Sequence, residues 1–242
     1  MNINGNIIYG WAKDLFPICR SITGPGVRKT LQYIKNINPE LEIFEVKTGQ
    51  KFFDWKIPNE WTIRDAYIIN ENGKKIVDFK ENNLHVINYS SPINKTINLD
   101  ELQDHLYSLP KQPDAIPYIT SYYESRWGFC VSENFRKKLQ PGSYRVFIDS
   151  DLKPGVLNYA EIVMAGKSDK EIFFSTYICH PSMANNELSG PVVATALIKW
   201  LKSLNGKHRY TYRFVFVPET IGSIVYISKN LKKLKSKIVA GF

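Results

Sequence analysis

A chain of 242 residues, 43% hydrophobic and 13% aromatic, has enough apolar side chains for one large core or two small ones, which excludes a disordered or fibrous polypeptide. No stretch is long and apolar enough to span a bilayer, and Met1-Asn-Ile-Asn-Gly5 lacks the basic-then-apolar pattern of a secretory leader. Three widely spaced cysteines, Cys19, Cys130 and Cys179, exclude a disulfide framework and a cysteine-based zinc knuckle, so the expected setting is a reducing cytoplasm with no membrane partner.

The first segment reads as helical because Ile8, Trp11 and Leu15 share a face, and a second helix follows a start signal at Gly24-Pro25 with Val27, Leu31 and Ile34 on one face. A strand follows over residues 41–46. From about 49 to 149 aromatic and β-branched residues alternate with polar ones. There Glu71-Asn-Gly73 joins two strands, residues 66–70 and 75–79, as a hairpin turn should. This stretch is expected to be a β-rich domain of its own, with one helix over residues 99–106.

After residue 150 strands and helices alternate. The strands cover residues 161–164, 172–178 and 212–217, and the helices cover 187–204 and 221–234, the first with Val193, Leu197, Trp200 and Leu204 on one apolar stripe. This order predicts a βαβ core. Residues 238–242 read as the start of a further strand, so the chain is expected to be truncated at its C-terminus. The net charge of +9 is spread thinly. Its one dense run, residues 229–237, lies on a predicted helix whose Leu231 and Leu234 back onto a core, so a nucleic-acid partner is not expected. Walker and dinucleotide glycine patterns are absent, which gives nucleotide chemistry no support.

Three polar segments fall at strand ends of this α/β region: Cys179-His180-Pro181, Ala184-Asn-Asn-Glu-Leu-Ser-Gly190 and Pro218-Glu-Thr-Ile-Gly-Ser223. In an open α/β sheet all three would face one crevice. His180 is a potential metal ligand, and Glu219 directly after an apolar strand is costly to bury without a partner. Glu187 has two readings, a carboxylate for the site or an acidic residue favouring a helix N-terminus. His85 in a strand-like run and His105 on the predicted helix read as structural, His208 sits in the polar turn of residues 205–209, and Cys179 reads as a small buried hydrophobe. Tyr122, Tyr123 and Trp127 read either as a stacking wall for a sugar or as β-domain core.

These segments, with Ile22-Thr-Gly-Pro-Gly-Val27, Trp61-Thr-Ile-Arg-Asp-Ala-Tyr67, Leu84-His-Val-Ile-Asn-Tyr-Ser90, Pro117-Tyr-Ile-Thr-Ser-Tyr-Tyr123 and Trp127-Gly-Phe-Cys130, resemble the aminopeptidase-like proteins of the M28-type zinc exopeptidase superfamily. The resemblance is to a bacterial subgroup linked to surface-polysaccharide biosynthesis, and it covers nearly the whole chain. It implies a zinc-exopeptidase-like mixed sheet flanked by helices, built from residues 1–48 and 150–242 and interrupted by an inserted β-rich domain, residues 49–149. It also implies a winged-helix-like extension beyond residue 242.

Carried over by position, the resemblance makes His180 a zinc ligand, Asn186 the counterpart of a bridging Asp, Glu219 the general base and Thr220 the counterpart of a ligand Glu. Ser182 stands where an Asp would orient the histidine. A neutral Asn186 amide does not bridge two zinc ions as a carboxylate does, and Thr220 removes an anionic ligand. Two functions are implied: a zinc-dependent hydrolase of peptide or other amide bonds, or a non-catalytic aminopeptidase-fold protein that binds a glycan precursor or a partner protein. The sequence does not give the oligomeric state.

Overall fold

The computed structural model describes residues 3–242; Met1 and Asn2, part of the segment read as lacking a leader, lie outside them. The chain opens with α1 (Gly5–Leu15), capped by the Asn4 side chain, which accepts from the Ile7 N–H at 3.1 Å. Helix α2 (Pro25–Ile37) has Pro at its first position, where the missing N–H costs nothing. Next come β1 (Glu42–Lys47), the short pair β2 (Lys51–Phe52) and β3 (Trp55–Lys56), β4 (Glu60–Ile69), β5 (Lys75–Asp78), β6 (Ile93–Asn98), α3 (Leu99–Asp104), β7 (Leu106–Tyr107), β8 (Phe129–Cys130), α4 (Glu133–Arg136) and β9 (Ser143–Lys153). The last third holds β10 (Val156–Met164), β11 (Glu171–Tyr177), α5 (Ser189–Ser203), β12 (Thr211–Val217), α6 (Ile221–Lys237) and β13 (Ile238–Gly241). Among the described residues no helix is long and apolar enough to cross a membrane.

The chain divides into two compact units, one running up to Asn59 and resuming at Pro154, the other spanning Glu60–Lys153. The second unit is a four-stranded antiparallel sheet in the order β5-β4-β9-β6. Its core gathers Ala66, Ile68, Val77, Val146 and Ile148 from the strands with Leu102, Leu106 and Phe129. Trp127 packs against this core and stacks on the His105 ring at 3.6 Å, so it is core and not an open wall. Tyr122 meets Tyr89 edge-on, and Tyr123 alone of the three is exposed. The helix expected over residues 99–106 ends at Asp104, with His105 as its cap, and His85 sits in a single 3₁₀ turn and not in a strand.

The first unit carries a mixed five-stranded sheet in the order β1-β10-β12-β11-β13. β11, β12 and β13 are mutually parallel where they pair, while β10 runs antiparallel to both β1 and β12. Val27, Leu31 and Ile34 of α2 and Ala194, Ile198 and Leu201 of α5 pack with Ala160, Phe214 and Phe216 of the sheet. Each of the Val, Leu, Ile and Phe side chains among them contributes roughly 1.5–3 kcal/mol on full burial.

Two expectations change here. The stripe Val193, Leu197, Trp200 and Leu204 of α5 is split: Leu197 and Leu204 are half-buried against the sheet core, Val193 and Trp200 are exposed, and the fully buried side carries Val192, Thr195, Ile198 and Leu201. The helix is apolar nearly all round, so periodicity alone does not select a face. On α6, Leu234 is buried but Leu231 is exposed, and Lys229 lays its ammonium over the Phe52 and Tyr159 rings.

Candidate functional site

Two parallel strands, β11 and β12, end side by side, with Tyr177 paired to Val217. The segments leaving the two strands therefore project at the same sheet edge, where open α/β sheets build their sites. After β11 the chain continues through Cys179 and His180. Ser182 then adopts a left-handed conformation (φ 44°), and a π-helical turn, Ala184–Leu188, leads into α5. After β12, Thr220 has φ 55° and ψ −86°, a strained geometry of the kind found at functional turns. That kink carries Glu219 at the start of α6.

The two strand ends meet at His180. Its Nε2 lies 2.8 Å from Glu219 Oε1, and its Nδ1 lies 2.6 Å from Glu187 Oε1 and 3.4 Å from Asn186 Oδ1. The backbone N–H groups of Cys179 and His180, which have left the sheet ladder, both donate to Glu187 Oε1 at 3.1 and 2.7 Å. Glu187 has no solvent exposure. Its Oε2 has no hydrogen-bond partner among the described residues. The Tyr177 ring meets the His180 ring nearly at right angles.

Beneath the site lies Arg20, itself fully buried. Its guanidinium donates to the carbonyl oxygens of His180 at 2.9 Å and Leu15 at 2.7 Å. Gly26 makes that placement possible: a Cβ there would stand 1.9 Å from the Cys19 carbonyl oxygen, so only glycine lets α2 approach the Cys19-Arg20 backbone this closely.

The electrostatics arise from this packing. Burial works against a charged imidazole, but the hydrogen bond and charge of Glu187, reinforced by Glu219, prevail and hold the His180 ring protonated above the ordinary histidine range. Burial also pulls the Arg20 guanidinium down, opposed by the Glu187 charge. The Cys179 thiol, buried and beside two carboxylates, is pushed well above the ordinary cysteine value, and its sulfur accepts the Glu219 N–H at 3.2 Å. It is a packed thiol and not a nucleophile, in keeping with its reading as a buried hydrophobe.

His180, Asn186 and Glu219 thus come together, whereas Thr220 serves as the backbone kink. Glu187 is the functional candidate that sequence reasoning missed, favouring the reading of an acidic residue at a helix N-terminus. It does occupy a first helical turn, but its carboxylate turns inward to the site. The signal was present in its adjacency to Asn186; what was missing is the π turn that points both Glu187 and Leu188 inward.

Cys179, His180 and Glu219 bring sulfur, nitrogen and oxygen donor atoms within 4.8 Å of one another. A ring nitrogen facing a carboxylate, backed by a buried carboxylate with one oxygen unpartnered, fits a single divalent cation. The set does not fit a bridged pair of ions, because Asn186 and Thr220 supply no bridging or second anionic ligand.

Comparison with known proteins bears on the family and the fold. A family model described as Domain of unknown function (DUF4910) matches residues 9–242. A Clostridium acetobutylicum protein named for polysaccharide biosynthesis and an aminopeptidase-like domain is 52% identical over 232 residues, 96% of this chain and 53% of its own length. A crystal structure from the same organism, named as a peptidase, superposes with a TM-score of 0.94 at 51% identity over 98% of this chain and 55% of that one. The chain therefore spans about half the length of these relatives. The fold also matches an M28 peptidase precursor from Shewanella amazonensis (TM-score 0.63, 10% identity, 96% of this chain and 69% of that one). A zinc aminopeptidase from Bacillus subtilis matches as well (TM-score 0.58, 11% identity, 97% and 68%).

Proposed function

The chain belongs to the family described as Domain of unknown function (DUF4910), and from that premise and its aminopeptidase-like fold we propose that it forms part of a metal-dependent hydrolase of peptide or other amide bonds. The observation that carries this reading is the contact of His180 Nε2 with Glu219 Oε1 at the shared end of two parallel strands. His180 is the metal ligand, Asn186 a neutral oxygen beside it, and Glu219 the general base. Zinc is the expected ion, by analogy with the Bacillus subtilis aminopeptidase. Bound at this site, such an ion supplies Lewis-acid polarisation of an amide carbonyl and acidification of water.

The remaining chemistry falls to this chain's own side chains. Glu219, about two-fifths exposed and in contact with the ligand ring, takes a proton from water in this reading and returns it to the leaving amine. The buried face behind His180 keeps water from that side of the ring. The name of the Clostridium relative points to substrates from surface-polysaccharide assembly, either peptide or glycan-linked amides, handled in the cytoplasm.

The test is hydrolysis of a panel of aminoacyl amides, peptides and N-acylated sugars by the full-length protein. Removing the metal with a chelator should abolish turnover, and Glu219→Gln should lower it about 10²–10⁴-fold while metal content stays unchanged. Turnover that survives both changes overturns the reading. A metal-loaded protein inert toward the whole panel would instead leave the fold as a binding scaffold.

A further inference from the structure

Resting on that reading of His180 as a ligand, we infer that Glu187 is a positioning residue, the one that sets which ring nitrogen of His180 is presented for metal binding. One oxygen, Oε1, takes the ring Nδ1 at 2.6 Å and the backbone N–H of the same residue at 2.7 Å. A bond to both the main chain and the ring of one histidine fixes its side-chain torsions, not only its charge. With Nδ1 held, Nε2 is the nitrogen left facing Glu219.

Metal-bound histidines generally give their other ring N–H to a carboxylate or carbonyl, which fixes the ring and raises its basicity. Ser182, in the turn beyond His180, offers no carboxylate, and Asn186 reaches Nδ1 only at 3.4 Å. Glu187 brings a carboxylate within hydrogen-bond distance on that side. Its second oxygen, buried without a hydrogen-bond partner, is expensive in a folded core unless the charge serves the site. The buried Arg20 guanidinium lies close enough for its charge to interact with Glu187.

A purely structural role for Glu187, capping two stray backbone N–H groups, predicts a different outcome. In Glu187→Gln an amide oxygen still accepts both N–H groups, but the carboxylate charge on Nδ1 is gone. The experiment measures zinc affinity by chelator competition in the full-length protein and in Glu187→Gln, with nitrogen-15 NMR of the His180 ring in the zinc-loaded wild type. We expect affinity about 10–100-fold weaker in the variant, and a low-field ring proton on Nδ1 with none on Nε2 in the wild type. Equal affinity in both proteins overturns the positioning role and leaves the hydrolase reading standing. Should the variant fail to fold, the wild-type spectrum decides, since a proton on Nε2 with Nδ1 bare overturns the role. Wild-type protein that binds no zinc overturns the metal reading and this inference with it.

Discussion

At the scale of single residues, His180 is the most informative side chain because each ring nitrogen faces a carboxylate. Its pKa in the folded protein lies above the ordinary value of 6.5. In metal-free protein the pairing therefore contributes stability fully below about pH 6.5 and loses that contribution as the pH rises through the raised folded value. Thermal denaturation of metal-free wild type and His180→Asn should differ most in mildly acidic buffer and converge toward alkaline pH. A gap that widens with pH would contradict this assignment of charge. His180 and Glu219 were legible as site candidates from their place after apolar runs. The inward turn of Glu187 was not, because one acidic residue in a first turn has the same local sequence whether it points to solvent or to a site.

At the scale of elements, the site depends on two close approaches. Gly26 lets α2 press on the Cys19-Arg20 backbone, and Gly190 lets the start of α5 sit on Thr176, where a Cβ would come within 2.3 Å of the hydroxyl. Gly26→Ala meets backbone, which cannot swing aside as a side chain can. Overpacking of this kind costs typically about 1–3 kcal/mol, so Gly26→Ala should lower the urea midpoint accordingly. By shifting Arg20 away from the His180 carbonyl it should also weaken metal binding. An alanine variant as stable as wild type would show that α2 moves freely. Helix boundaries and the buried side of α2 are set by local spacing, while α5 shows the limit of periodicity: with apolar residues on most of its circumference, only tertiary packing selects its inner side, Ile198 and Leu201 against the sheet and Val192 against α1.

At the scale of the whole molecule, the unit that bears the site is tied together by a buried charge network. Arg213 on β12 makes two bonds to Glu171 on β11, at 2.7 and 3.0 Å, and one to Glu161 on β10 at 2.8 Å; Glu161 also accepts from the Tyr226 hydroxyl of α6 at 2.6 Å. Three strands and a helix thus share one guanidinium with no solvent exposure. Removing one partner of a buried pair leaves charge uncompensated and costs about 3–5 kcal/mol. Arg213→Ala should lose stability of that order in equilibrium unfolding, and a loss below about 1 kcal/mol would mean that water reaches the network. Nothing in a lone Arg213 within an apolar strand identified these partners, since they lie 42 and 52 residues away in sequence.

The sequence by itself determined the alternation of strands and helices after residue 150, the β-rich character of the middle, and the strand-end placement of His180 and Glu219. These are properties of local periodicity and of side chains that water or a core must accept over a few neighbouring positions. Tertiary structure alone decided that β10 lies antiparallel between β1 and β12, and it brought His180 into contact with Glu219 across 39 residues. It also turned Glu187 inward, placed Arg20 beneath the site, and chose the inner side of α5. Each of these depends on contacts between segments far apart in the chain, and a local pattern carries no information about which distant group will fill the space it leaves.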